Sequence, residues 1–170
     1  DAEKLRAELK NLEKGIGEGK WRVRVLVSQR GEINMEKKIL ESVEVPVRVK
    51  ISSQRVNPDD VFLYHKTTRR DLYDKERMKA RRKGFFETIF LNTKEEITEG
   101  SITNIFVLKD RKLYTPPVKC GLLRGVLRER LLKEGKAREK VIYRKDVLGA
   151  DKVYIGNSVR GLLEAKISSL

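Results

Sequence analysis

Hydrophobic positions recur first at helical spacing and then at every second residue. Ala2, Leu5, Leu9 and Leu12 fall three or four apart with Lys and Glu between them. Gly15, Gly17 and Gly19 follow, so the pattern predicts an amphipathic helix stopped by glycine. Trp21, Val23, Val25 and Val27 then alternate with Arg22, Arg24, Leu26 and Ser28, which predicts a strand. Val43, Val45, Val47, Val49 and Ile51 alternate with Glu44, Pro46, Arg48 and Lys50 and predict a second, half-exposed strand. Pro46 cannot donate to a ladder, which places that strand at an edge or gives it a bulge. Residues 52–60, broken by Pro58 and two aspartates, read as a linker. A short apolar run at 62–66 leads into a charged helix from about residue 70 to 83, closed by Gly84. Two hairpins are predicted next: 85–91 with 96–98 across a turn at 92–95, and 104–109 with 112–115 across Asp110-Arg111. Residues 123–133 predict an amphipathic helix ended by Gly135, and short strands at 141–144 and 153–156 flank a brief helix at 146–150. No internal repeat or low-complexity segment occurs. Alternating strands and helices place the chain in the α/β or α+β class.

Composition narrows this. At 170 residues and 39% hydrophobic the chain can build one good-sized domain. Charged residues make up 38%, well above the usual quarter, and few aromatics accompany them, a balance that fits a thermophile. The net charge of +14 raises a nucleic-acid footprint as one reading. Basic residues alternate with Glu and Asp through most of the chain, however, which reads as a solvated face and no nucleic-acid partner. The exception is residues 75–83, with Arg77, Lys79, Arg81 and Arg82, and it has no interleaved aromatics for base stacking. A third use of such charge is attraction of an anionic substrate or cofactor. A lone cysteine, Cys120, cannot form an intrachain disulfide, so a reducing, cytoplasmic compartment is expected. No signal peptide or long apolar run predicts a membrane partner. One cysteine and one histidine are too few for a zinc site, and no metal is expected.

Two segments carry candidate chemistry: Phe62-Leu63-Tyr64-His65-Lys66-Thr67-Thr68 and Thr98-Glu99-Gly100-Ser101-Ile102-Thr103-Asn104. The first ends an apolar run with a lysine. Burial in an apolar wall disfavours an ammonium and would free the amine for Schiff-base chemistry with a carbonyl cofactor. The second puts a carboxylate in a tight glycine turn, where a pyridoxal phosphate enzyme needs one opposite the pyridine nitrogen. The plainer readings are a surface lysine and a turn glutamate in water. His65 reads as a packing or hydrogen-bonding neighbour, since adjacent strand residues face opposite sides.

These segments resemble the aminotransferase class IV family, the fold-type IV pyridoxal phosphate enzymes, and within it the aminodeoxychorismate lyase subgroup. The resemblance continues through Leu113-Tyr114-Thr115-Pro116-Pro117, then Cys120-Gly121-Leu122-Leu123-Arg124-Gly125-Val126-Leu127-Arg128, then Ile155-Gly156-Asn157-Ser158-Val159-Arg160-Gly161. It covers about residues 21 to 165, and its motifs are specific in combination rather than singly. It implies a small α/β domain, here residues 1–57 and lacking its opening strands, followed by a larger mixed β-barrel-like domain at 58–170. A helix carrying a phosphate-clamping arginine, present in the family, has no counterpart here, so the chain is expected to be a fragment or one piece of a longer polypeptide.

The resemblance also implies roles. Lys66 would bind pyridoxal 5'-phosphate covalently and then serve as general base and acid. Glu99 would face the pyridine nitrogen. Gly125 and the amides of Val126 and Leu127 would open a helix whose N-terminus holds the phosphate, joined by the Ser158 hydroxyl. Ordinary helix capping is the alternative for both. Arg24, Arg30 and Arg160 are candidates for the carboxylates of a small anionic substrate. Arg69 and Arg70 stand where relatives often carry Asn and Arg or Tyr, which leaves the partner of the cofactor's ring hydroxyl open. The implied activity is a lyase of folate biosynthesis that converts 4-amino-4-deoxychorismate to 4-aminobenzoate and pyruvate. Two alternatives stand beside it: a branched-chain or D-amino-acid aminotransferase, and an inactive fragment or basic binding module. The family further implies a homodimer and possible fusion or association with aminodeoxychorismate synthase.

Overall fold

The computed structural model describes residues 2–168, which divide into two compact units between Val43 and Glu44. The smaller unit is a helix and a hairpin. Helix α1 (Ala2–Lys14) buries no residue, although Leu5 and Leu12 are partly covered. Strand β1 (Trp21–Val27) pairs antiparallel with β2 (Ile33–Ile39), Trp21 opposite Ile39 and Val27 opposite Ile33. Along most of β1 the expected alternation holds: Trp21, Val23 and Val25 are partly covered while Arg22 and Arg24 are exposed. The glycine-rich connection is tied to this hairpin, with Trp21 Nε1 donating to Gly17 O at 3.0 Å and Lys37 Nζ to Gly15 O at 2.8 Å.

The larger unit is a closed mixed barrel. Its strands are β3 (Val47–Val56), β4 (Glu87–Asn92), β5 (Ile97–Gly100), β6 (Asn104–Lys109), β7 (Lys112–Thr115), β8 (Ala137–Glu139), β9 (Lys152–Asn157) and β10 (Gly161–Ser168). They run in the order β5-β4-β3-β10-β9-β6-β7-β8, and a further pairing of β5 with β6 closes six of them into a ring. A single residue pair, Glu99 opposite Asn104, makes that closure. β3 is parallel to both β4 and β10; β7 and β8, also parallel, extend the sheet beyond β6.

Side-chain alternation separates inside from outside. Phe90 on β4 packs under Tyr73 of helix α2 (Asp71–Arg82), ring centroids 4.5 Å apart. Phe106 on β6 packs under Leu127 and Leu131 of helix α3 (Val126–Lys133). Both phenylalanines therefore face outward, and their sequence neighbours Ile89 and Ile105 face the barrel interior. Ile51 lies opposite Ile89, and Ile155 opposite Ile105, so these fully or nearly fully buried residues fill one core. Helix α4 (Arg144–Leu148) completes the helices.

Three expectations change. The strand expected at 43–51 begins only after Pro46 and runs on through the supposed linker to Val56. It is central, not an edge: Pro46 precedes the ladder and so removes no bond from it, while an irregularity between Ile51 and Arg55 absorbs the Ser52-Ser53 pair. This pairing makes β3 part of the larger unit. No strand forms at 141–144; β8 takes the place beside β7, and α4 begins at Arg144. The two hairpins lie where the pattern predicts them.

Candidate active site

The closing pair of the barrel also carries the candidate chemistry. Glu99 is 5% exposed and faces the same side as its partner Asn104, the outer side that Phe106 also presents. Its Oε2 accepts from the Leu123 amide at 3.2 Å and, at 3.5 Å, from Asn104 Nδ2. Asn104 Nδ2 also donates to Leu123 O at 3.0 Å, so the segment entering α3 is fastened to the seam. Burial pushes the Glu99 carboxyl up to about 8, against the opposing pull of the Leu123 amide and the charges of Arg70 and Lys66. The Tyr73 hydroxyl is buried without a partner of good hydrogen-bond geometry, yet burial and the nearby Glu99 charge both raise its proton affinity. Glu99 and Tyr73 line one cavity of about 240 Å³ together with Phe62, Arg69 and Arg70.

Lys66 does not sit in an apolar wall. It is exposed, in the loop after a 3-10 turn at Val61–Tyr64. The turn replaces the expected strand end because Asp60 caps it, accepting from the Phe62 amide at 3.0 Å. Tyr64 Oη donates to Pro58 O at 2.6 Å and pins the turn from below. The surroundings of Lys66 are cationic and polar: Arg69 stacks on Phe62 at 4.1 Å, and Arg70 lies 4.8 Å over Tyr73 while donating to Ser101 O. The amine's charge still reaches Glu99.

The remaining predicted cofactor residues surround the same seam. Gly125 lies against Asn104, where an added Cβ would overlap Asn104 Oδ1. Val126 and Leu127 start α3, and first-turn amides have no partner one turn back. Leu127 touches Gly156, the residue opposite Asn104 on β9. Ser158 is exposed in the turn after β9; Asn157 fixes that turn by accepting from the Val159 and Arg160 amides and donating to Ile102 O at 3.1 Å. Arg160 is half-buried, 5.9 Å from the Phe86 ring. Arg24 and Arg30 belong to the smaller unit. Arg24 pairs with Glu36 at 3.4 Å across the hairpin, and Arg30 sits in its exposed turn.

Three residues of the site receive no role in the sequence reading: Tyr73, Asn104 and Glu87. Glu87 is fully buried and accepts from the amides of Thr88, Ser101 and Ile102 and the hydroxyls of Ser101 and Thr103. A carboxylate inside the apolar run 85–91 is the signal that could have found it, because buried acids need partners.

The closed mixed barrel matches solved structures of fold-type IV aminotransferases. The chain belongs to the amino-transferase class IV family, whose model matches residues 1–167 and whose members depend on pyridoxal phosphate. It is similar to a probable branched-chain-amino-acid aminotransferase of Thermotoga maritima, 29% identical over 92% of this chain and 61% of that one. It thus spans less than two thirds of that relative's length. A crystal structure of a putative amino-acid aminotransferase from Mesorhizobium loti matches at TM-score 0.83 and 34% identity, over 87% of this chain and 73% of that one. An aminodeoxychorismate lyase of Vibrio harveyi is 30% identical over 83 residues, 46% of this chain and 31% of that one.

The residues present fit the cofactor. Glu99 is a buried acid with both of its described hydrogen bonds on one oxygen, Oε2. A ring N–H would add a donor to this acid, the Tyr73 hydroxyl lies beside it, and α3 offers amides to a phosphate. Among the described residues no group of His, Cys, Asp and Glu could hold a metal ion, and no helix is long and apolar enough to cross a membrane.

Proposed function

We propose that this chain is the barrel part of a pyridoxal phosphate lyase that converts 4-amino-4-deoxychorismate to 4-aminobenzoate and pyruvate. The observation that carries the cofactor half of the reading is Glu99, a buried carboxyl raised to about 8 on the barrel seam within electrostatic reach of Lys66. Bound pyridoxal phosphate supplies an electron sink that acidifies the substrate C–H beside nitrogen. Glu99 would hold the ring nitrogen by a charge-assisted hydrogen bond. The first-turn amides of Val126 and Leu127, with the Ser158 hydroxyl, would take the phosphate. The Lys66 amine accepts the proton from the carbon bearing nitrogen. Cleavage of the C–O bond aromatises the ring, and the side chain leaves as the enolate of pyruvate, which takes a proton at its methylene carbon.

The lyase preference rests on the turn at Asn157-Ser158-Val159-Arg160-Gly161, which resembles the lyase subgroup. Arg160 there offers a guanidinium to an anionic substrate, with Arg24 and Arg30 as further candidates. The length of the match to the Thermotoga relative favours the second reading, an aminotransferase. Its Lys66 would move a proton between substrate carbon and cofactor. As in the family generally, the enzyme would work as a homodimer. Adding pyridoxal phosphate should produce a visible band that borohydride fixes onto Lys66. The protein should then release pyruvate from aminodeoxychorismate without a keto-acid acceptor. Acceptor-dependent turnover of amino acids would favour the aminotransferase, and no visible band would end both readings.

A further inference from the structure

Three segments of the site meet at one short turn, residues 101–103. Its donors all point inward to Glu87: the Ser101 amide at 3.1 Å, the Ile102 amide at 3.0 Å, the Thr103 hydroxyl at 3.1 Å, and the Ser101 hydroxyl. Thr103 O accepts from the Gly100 amide at 2.7 Å within the turn, and the other two carbonyls reach other segments. Ser101 O takes the Arg70 guanidinium from the loop that carries Lys66. Ile102 O takes the Asn157 amide from the turn that carries Ser158 and Arg160. Glu99 and Asn104 flank the turn on either side and form the only register pair between β5 and β6. Gly100 leaves no slack, since a Cβ there would overlap Thr103 Oγ1 and come within 3.0 Å of the Glu87 side chain.

We infer that Glu87 is a positioning residue of the active site: by gathering the donors of residues 101–103 it aims their carbonyls at the Arg70 and Asn157 arms and holds Glu99 dry. This rests on the pyridoxal phosphate reading for its consequence but not for its geometry. A carboxylate buried for stability alone needs only to be satisfied. Here four of the five donors, all but the Thr88 amide, belong to the one segment whose carbonyls tie together the amine loop and the phosphate-side turn beside the seam. Loosening the turn should therefore let water reach Glu99. The groups that face Glu99 are Tyr73, Arg70 and Lys66 from one side, and Asn104 and the Leu123 amide from the other.

The test uses two variants, because Glu87→Gln, which faces the Ile102 and Thr103 donors with an amide, could fail to fold. Ser101→Ala/Thr103→Val removes two hydroxyl donors and leaves three backbone amides on Glu87. Two readouts are taken. One is the titration of Glu99 in the cofactor-free protein, followed by carboxyl carbon NMR. The other is the dissociation constant for pyridoxal phosphate, followed by its visible band. We expect the double variant to unfold cooperatively, its Glu99 midpoint to fall by a unit or more toward the ordinary glutamate range, and its cofactor affinity to drop about tenfold, the scale of one charge-assisted bond. A lowered melting temperature with an unmoved Glu99 midpoint and unchanged affinity would make Glu87 a fold brace only and overturn the inference. If the parent protein gains no visible band, the pyridoxal phosphate reading fails instead, and the Glu99 titration alone decides the role of Glu87.

Discussion

Gly125→Ala tests the seam most directly. Gly125 has φ −64° and ψ 140°, a conformation any residue adopts, so alanine brings no backbone strain. It even narrows the unfolded ensemble, which stabilises by about 0.4–1 kcal/mol. The cost is steric. The new Cβ would overlap Asn104 Oδ1 and lie 3.3 Å from Asn104 Cγ. Asn104 cannot simply swing away, because its Nδ2 bonds Leu123 O at 3.0 Å and reaches toward Glu99. Overpacking of this kind costs roughly 1–3 kcal/mol and the lost hydrogen bond about 1 kcal/mol. After the offset, the net is about 2 kcal/mol, or roughly 6 °C in melting temperature for a domain of this size. Thermal and urea unfolding by circular dichroism should be run in two backgrounds, parent and Asn104→Ala. With Asn104 truncated the clash disappears, so Gly125→Ala should cost less than about 0.5 kcal/mol there. Equal costs in both backgrounds, or a melting temperature within a degree of the parent, would refute the packing of the α3 entrance against the seam.

Lys66→Ala should leave stability within about 0.5 kcal/mol, because the side chain is exposed. It should abolish both the visible band and borohydride fixation, and peptide mapping that finds the adduct on another lysine would exclude Lys66. Glu99 makes the cofactor-free protein pH-sensitive. Its folded midpoint, near 8, lies above the ordinary 4.5, so the folded state holds the proton more tightly and stability falls as pH rises from about 4.5 to 8. Glu99→Gln should flatten that decline and exceed the parent's stability at pH 8 but not at pH 4, as urea midpoints across pH would show. Arg128 is fully buried and joins Glu129, Glu139 and Pro116 O behind the start of α3. Its carboxylate partners are nearly half exposed and can recover water. Arg128→Met should therefore cost about 2 kcal/mol, less than the ~3–5 of a fully buried broken pair, and an unchanged urea midpoint would refute the role given to Arg128.

The parts of the fold legible in the sequence are those set by local chemistry. The Asp110-Arg111 hairpin turn has both residues at positive φ, 49° and 60°, a two-residue reversal that joins flanking alternating strands. Helix α2 runs from Asp71 to Arg82, as its capping charges and Gly84 predict. What failed was set by distant partners. β2, Ile-Asn-Met-Glu-Lys-Lys-Ile, is exposed over most of its length, so alternation gives it no mark. β10 carries Leu162-Leu163-Glu164-Ala165, a helical-looking string, yet it is the strand that joins β3 to β9 and so the barrel to itself. The apolar setting expected of Lys66 differs for the same reason: the run Phe62-Leu63-Tyr64 forms a 3-10 turn capped by Asp60, and Lys66 follows it in an exposed loop.

The two acids Glu87 and Glu99 show where sequence reading of the site stops. Both are buried on strands, and although the motif around Glu99 singles it out, the sequence does not show that Glu87 is buried as fully or what satisfies it. Their surroundings do. Glu87 accepts from three amides and two hydroxyls, which offsets the cost of burying its charge. Glu99 accepts from one amide and at one long side-chain contact, both on the same oxygen, and burial raises its proton affinity against the pull of the Leu123 amide, Arg70, Lys66 and Tyr73. An acid satisfied by its own chain has no reason to bind anything. An acid left short of donors, on a seam held by one residue pair with a cationic loop in range, favours the arrival of a positively charged N–H. The difference arises because barrel closure brings residues 87, 99, 104 and 123 together from four separate stretches of chain. Chemistry at this site is therefore a property of the closure, and any change that opens the seam should remove the distinction between the two carboxylates before it unfolds the barrel.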